Sequence, residues 1–326
     1  MNGVNQNIAG WVFALALSGG FWRATAEEPS LKPGLLHTLG LEPSRQSSLE
    51  AAMARHDYAA AEELLAAEAG RNPKSQSLLL ALANVLFLDG KQLNSAVVLK
   101  KAERLGPLDE KSQFLLALSY ASLGRFNWAK PELERLAKIN PGNAAYPYWL
   151  SRIAYRKTDI LSAKQYAEKA IQLDPGYTKA YDQLGLCQEA LNNWEDAVKA
   201  FREAIRLSHL SRTPTPWPAM NLGVLLTRME RLDDAEAQLL DSIATDPTFP
   251  VAHFRLGQVL EKKENAEGAI REFQTTARLD PTYPEPHYAL ARIYRKQGDV
   301  EAAARETTIF QELRAADKAK GIIRPD

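Results

Sequence analysis

Residues 174–207 read DPGYTKAYDQLGLCQEALNNWEDAVKAFREAIRL. The opening Asp-Pro is a turn: proline cannot continue a preceding helix and fixes its own φ, and Asp suits the residue before it. Behind it, Tyr181, Leu184 and Gly185, then Phe201 and Ala204, recur at helical spacing. Asn192-Asn193-Trp194 stands between the two apolar runs as a tight link. The stretch therefore encodes a turn, a helix, a short link and a second helix.

The unit repeats along the chain. Asp246-Pro247-Thr248-Phe249 and Asp280-Pro281-Thr282-Tyr283 are nearly the same turn as Asp174-Pro175-Gly176-Tyr177, with Asn140-Pro141 and Asn72-Pro73 as variants. Pro73, Pro107, Pro141 and Pro175 stand at one constant interval, a period of about 34 residues. The next step lands on His209, and Pro247 and Pro281 resume the register after four inserted residues, placed at Arg212-Thr213-Pro214-Thr215. Twelve residues before each proline a small side chain recurs at Ala61, Ser95, Ala129, Ala163, Ala235 and Ala269, with Ala197 in the repeat that lacks its proline. A small residue there lets two helices approach closely. His56-Asp57-Tyr58, Gly124-Arg125-Phe126 and Gly298-Asp299-Val300 repeat the link. Leu79, Leu82, Ala83 and Leu86 show the same apolar spacing in an earlier unit.

Composition agrees. The 326 residues contain 49 Ala and 45 Leu against 10 Val and 12 Ile, which favours helix and excludes a large sheet core. Forty basic and forty acidic side chains cancel, so no global field draws the chain to nucleic acid or an anionic membrane. The single cysteine, Cys187, excludes an intramolecular disulfide or multi-cysteine zinc framework and reads as a small buried hydrophobe.

In period, turn and core positions the sequence resembles the tetratricopeptide repeat family. The clearest match is Tyr181, Leu184, Gly185, Trp194, Ala197, Phe201 and Ala204; the next has His253, Leu256, Gly257, Ala269, Phe273 and Pro281. Ala167 and Thr307 depart from the family's large second-helix residue, and Gln188 from its tyrosine. The resemblance implies an all-α, right-handed α-solenoid of stacked helix-turn-helix repeats over 42–317, about eight units with the first degenerate. Repeats begin near Glu42, Gln76, Glu110, Ala144, Thr178, Pro216, Pro250 and Pro284.

The ends read differently. The apolar run Ile8–Leu17 followed by Ala24-Thr25-Ala26 reads as a signal peptide over 1–26, although its leader lacks Lys and Arg. Cleavage implies export to the periplasm or outside the cell, with no membrane span in the mature chain; without cleavage the chain is membrane-anchored or cytoplasmic. Residues 27–41 form a Pro- and Gly-containing linker whose Leu31, Leu35, Leu36, Leu39 and Leu41 can cap the first repeat, and 318–326 is a tail.

A repeat array offers a long surface for binding. The sequence shows no Gly-rich phosphate loop, His-Glu-x-x-His, Gly-x-Ser-x-Gly or Cys-x-x-Cys, so no enzyme activity, cofactor or metal is expected. His253 and His287, one full period apart, read as polar-tipped rings in place of a core aromatic rather than as a metal pair. In the family the concave face comes from fixed positions on each first helix. Carried onto repeats four to eight, these give Arg152, Arg156, Lys179, Arg228, Arg255, Lys262, Arg292, Arg295 and Lys296 against Asp182, Glu189, Glu261 and Glu285. Tyr148, Trp149, Tyr155, Trp217, Phe254 and Tyr288 interleave with them, and Asn221 can donate to a ligand backbone.

The resemblance thus implies a non-catalytic protein–protein interaction scaffold holding a partner protein or an extended peptide, an acidic one included. The alternative is a regulatory or substrate-recruiting subunit of an enzyme complex, such as one with a glycosyl transferase or peptidase. Self-association through the end repeats is a further expectation, and nucleic acid is not expected, since acidic interruptions oppose phosphate contacts. The family's five-residue carboxylate clamp finds only Asn221 and Arg255 here. Its other positions hold Asp182, Leu186 and Val251, so the clamp is not expected as a whole.

Overall fold

The computed structural model describes residues 39–319. The signal reading over 1–26, the leucines Leu31, Leu35 and Leu36, and most of the tail lie outside these residues. Leu39, within them, is buried. The described residues are all helix and connection, sixteen helices without a strand, and the fold is an all-α helical-repeat solenoid. None of these helices is long and apolar enough to cross a membrane.

Two compact units divide between Lys157 and Thr158. The first holds α1 (Pro43–Ala54), α2 (Tyr58–Arg71), α3 (Gln76–Leu88), α4 (Gln92–Glu103), α5 (Glu110–Ser122), α6 (Phe126–Ile139) and α7 (Ala145–Arg156). The second holds α8 (Ile160–Leu173), α9 (Thr178–Ala190), α10 (Trp194–Leu210), α11 (Trp217–Arg228), α12 (Leu232–Thr245), α13 (Pro250–Lys262), α14 (Ala266–Leu279), α15 (Glu285–Gln297) and α16 (Val300–Ala319). The division falls inside the fourth repeat of the register.

Each feature of the repeat has a local cause. The Asp-Pro turns are fixed by Asp carboxylates accepting from the backbone two residues on, Asp174 from Gly176 at 2.9 Å, Asp246 from Thr248 at 2.9 Å and Asp280 from Thr282 at 3.0 Å. Four of the second helices, α2, α8, α14 and α16, begin on side-chain caps: Asp57 accepts from Ala60 N, Asp159 from Ser162 N, Asn265 from Gly268 N and Asp299 from Ala302 N. Ala61, Ser95, Ala129, Ala163, Ala197, Ala235 and Ala269 are completely buried, as a small residue between packed helices requires. The four inserted residues after repeat five are not all loop. They lengthen α10 to 17 residues, against 14 in α12 and α14, and Ser208 ties the remaining loop back by accepting from Thr215 N at 2.8 Å.

The link between paired helices needs one left-handed residue. Gly90, Gly124 and Gly298 supply it with φ of +75°, +67° and +82°, but His56, Thr158, Asn192, Glu230 and Glu264 adopt φ between +56° and +61° with a side chain attached. A left-handed L-residue costs about 1–2 kcal/mol, less what a glycine loses in the unfolded chain. Glu264 is exposed and its side chain makes no bond among the described residues. Glu264→Gly is therefore expected to stabilise by about 0.5–1 kcal/mol, read as a higher urea midpoint at unchanged slope. A lower midpoint would contradict the strain.

Candidate functional site

The second unit brings the first helices of successive repeats side by side, so the residues on their inner faces meet. Asn221 on α11 donates from Nδ2 to Asp182 Oδ1 on α9 at 2.9 Å. One helical stretch further on, Arg228 pairs with Glu189, a carboxylate with only 8% of its side chain exposed. Burial pushes the Glu189 carboxyl upward, and the charges of Arg228 and Arg255 pull it back. Lys262 on α13 reaches Glu230 at 2.7 Å, and Arg292 on α15 pairs with Glu261 on α13. These are rungs between neighbouring repeats. Arg228, Lys262 and Arg292 from the sequence reading thus spend their charge inside the protein, on Glu189, Glu230 and Glu261.

Arg255 is different. Its Nη1 donates to Gln258 on its own helix at 2.9 Å, and its Nε is shielded from water without an acceptor. Desolvation lowers its pKa from the ordinary arginine value, against the fields of Tyr283, Glu285 and Glu189. Among the described residues it forms no ion pair, and the carboxylate fields that reach it are those of Glu285 and Glu189, the latter already engaged by Arg228. A guanidinium presents donors in a fixed planar fork suited to a carboxylate. Arg295 and Lys296 at the end of α15 are exposed and solvated.

The aromatics divide between core and surface. Phe254 is a core residue, packed on Phe273 and Tyr283 with ring centroids 5.6 and 5.2 Å away. Trp217 is half-buried and meets Phe249 edge-on at 4.7 Å. Tyr288 is 55% exposed and leans on Phe310 of α16. In the first unit, Tyr148 is buried, and the Arg152 guanidinium lies 4.4 Å from the centroid of Trp149. Tyr155 and Arg156 are half-buried near the end of α7, and burial together with Arg152 lowers the Arg156 pKa. Of the candidate residues, the structure joins Asn221, Arg228, Phe254, Arg255 and Arg292 on one run of helices, and places Tyr148, Arg152, Tyr155 and Arg156 in the other unit.

The histidines do not meet each other. His253 bonds Glu272 on α14 through Nδ1 at 2.7 Å, and His287 bonds Glu306 on α16 at 2.6 Å. The signal was present in the sequence, since the two glutamates are themselves one period apart. No group of three or more His, Cys, Asp or Glu among the described residues is placed to hold a metal ion.

Comparison with known proteins supports the repeat. Models of the tetratricopeptide repeat match residues 114–178 and 220–284, 178–209, and 287–305, together more than half of the chain. Comparison with curated proteins gave no match. Among solved structures, a tetratricopeptide repeat protein from Parabacteroides merdae aligns with a TM-score of 0.60 at 16% identity, over 81% of this chain and 98% of that one. The Cut9–Hcn1 hetero-tetramer gives 0.60 at 18% identity, over 70% of this chain and 45% of that one. PilW, described as a type IV pilus biogenesis factor, gives 0.56 at 19% identity, over 62% and 92%. The chain spans less than half of the Cut9–Hcn1 chain it matches, and at these identities the likeness concerns the fold. With the turn, the buried small positions and the family matches in agreement, the chain belongs to the tetratricopeptide repeat family.

Proposed function

We propose that the protein is a non-catalytic scaffold that holds an extended peptide or a segment of a partner protein against the inner helices of its second unit. The fold neighbours support the coarse part of this reading, and one of them was solved within a hetero-tetramer. The finer part rests on Arg255. The rungs on either side consume their charges pairwise, yet this guanidinium keeps a buried Nε without an acceptor. A buried polar donor left unmade costs about 1–3 kcal/mol, and a carboxylate on an incoming peptide would give the half-buried guanidinium a counter-charge that no described ion pair supplies. Asn221, although tied to Asp182, and the half-buried Trp217 lie one repeat away on α11. They offer a backbone donor and a ring for neighbouring residues of the same peptide.

The test uses a panel of short synthetic peptides, each with a single Glu, a single Gln or a free C-terminal carboxylate, titrated against the full chain. Carboxylate-bearing peptides are expected to bind best. Arg255→Gln is expected to weaken them at least about tenfold, the order of one lost charge-assisted hydrogen bond, while Arg295→Gln changes little. Equal affinities for the Glu and Gln peptides, or an unaltered Arg255→Gln variant, would remove Arg255 from the reading. An exported location is part of the same proposal and is supported by the Ile8–Leu17 run and Ala24-Thr25-Ala26. N-terminal sequencing of the protein from its own cells tests it.

A further inference from the structure

We infer that His253 and Glu272 form an acid-tightened latch across the α13–α14 hairpin, so that this repeat holds its packing more firmly in mildly acidic than in alkaline solution. The geometry of His253 carries this. The ring is nearly excluded from solvent, its Nδ1 faces Glu272 Oε2 at 2.7 Å, and its Nε2 faces the backbone carbonyl of Pro247 at 3.1 Å. Both partners are acceptors. A neutral imidazole has one N–H and one lone pair, so it can satisfy only one of them and must set its lone pair against the other. Only the imidazolium donates on both sides.

The latch therefore joins three elements through one proton. Glu272 belongs to α14, Pro247 to the turn that follows α12, and the ring to α13. Arg278, also on α14, opposes the charge, and α11 and α15 contribute no ion pair to the ring. The Glu272 hydrogen bond raises the His253 pKa above its ordinary value, more than burial lowers it. A histidine held above its unfolded value adds stability that is fully present below about pH 6.5 and fades as the pH climbs through the folded value. His287 repeats the glutamate contact alone, its Nδ1 2.6 Å from Glu306 Oε2 with little of the ring exposed. The equivalence follows the repeat: each glutamate lies 19 residues after its histidine. A family position that ordinarily holds an aromatic ring here holds an imidazole twice in succession, each beside a glutamate.

One consequence reaches the inner face. Phe254 and Arg255 follow His253 directly on α13, so loosening of that helix against α14 loosens their hold as well. The latch itself does not depend on the peptide reading, because its tests need no ligand.

The test begins with the unaltered full chain. Histidine ring resonances followed by nuclear magnetic resonance from pH 5 to 9 should show His253 titrating above about 6.5, the ordinary value. Amide exchange in α13–α14, corrected for its intrinsic base catalysis, should quicken at least about threefold between pH 6 and 8.5 relative to α9–α12. In His253→Phe, which keeps a ring and removes the proton, that extra slope should vanish. A His253 midpoint at or below the ordinary value would overturn the inference without any variant. So would exchange in α13–α14 that follows α9–α12 at every pH, or parallel slopes in the unaltered and substituted chains.

Discussion

Phe273→Ala is expected to destabilise the protein by about 3–5 kcal/mol, because the ring is completely buried and fills the space between α13 and α14. Its opposite number is the absent side chain of Gly257: a Cβ there would stand 2.6 Å from Phe273 Cε1 and 2.8 Å from Cδ1. The ring cannot retreat, since Phe254 packs against it. Gly257→Ala is therefore expected to cost about 1–3 kcal/mol by overpacking, despite alanine's better helix propensity. The two changes are coupled through shared volume. In the third repeat the same positions hold Ala117 and Leu133, and in the second Ala83 and Leu99, all completely buried. Gly257→Ala joined to Phe273→Leu should therefore cost less than the sum of the two single changes, by about 1 kcal/mol in a double-mutant cycle. Urea denaturation of the three variants measures it. A neutral Gly257→Ala, or strict additivity, would show that the ring had room to move.

The same volume rule explains a departure that the sequence reading only noted. Thr307 stands where Phe201 and Phe273 stand in other repeats, and the first-helix position opposite holds Ala291 in place of Gly185 and Gly257. The loss of the large ring is answered by a gain at the glycine. Such compensation is readable once the spacing is known, since the step from Gly257 to Phe273 equals that from Ala291 to Thr307 and both members sit in one helix pair.

The turns, small buried positions and helix pairs were legible for a related reason: each is imposed by the local backbone, so it recurs at the period of the chain. The rungs were not. Asp182 to Asn221 and Glu189 to Arg228 are 39 residues apart, while Glu261 to Arg292 is 31 and Glu230 to Lys262 is 32. Side chains that bridge neighbouring helices choose partners by reach and rotamer, and one inserted loop shifts the offset. Nine cations against four carboxylates looked like a surplus for a ligand. The structure assigns Arg228 and Arg292 to two of those four carboxylates, and Lys262 to Glu230, which the inner-face positions do not include. The left-handed residues at Glu230 and Glu264 were equally hidden, because neither residue type announces a positive φ. The division between Lys157 and Thr158 leaves no mark either, since Pro141 and Pro175 keep the register across it.

Removal of one rung partner gives the second large effect. Arg228→Ala leaves Glu189 buried with its principal counter-charge gone, and breaking a buried pair costs about 3–5 kcal/mol. A third of the Arg228 side chain is open to solvent, so water can enter the vacated space and the lower end, about 3 kcal/mol near neutral pH, is expected. The Arg228 guanidinium also lies 5.9 Å from the Trp194 ring centroid, a contact that adds only about 0.5 kcal/mol. The pH dependence separates charge from packing. Burial already holds the Glu189 pKa above the ordinary 4.5, and losing Arg228 pushes it further up. An acid raised in the folded state is protonated in both states below its unfolded value, so the penalty is absent there and grows as the pH climbs through the raised value. The difference from the unaltered chain should be near its packing remainder at pH 4 and about 3 kcal/mol at pH 7, measured by urea denaturation at each pH. Glu189→Leu/Arg228→Leu, which removes both charges and keeps apolar volume, should recover most of the loss. A pH-independent deficit in Arg228→Ala would mean that the rung acts through packing alone. In that variant the remaining positive neighbour of Glu189 is Arg255, so the carboxylate that the rung had kept occupied becomes an internal competitor for the seat proposed for the peptide. Arg228→Ala should therefore also weaken carboxylate-bearing peptides, although Arg228 itself never touches them, and the double leucine variant should restore their binding.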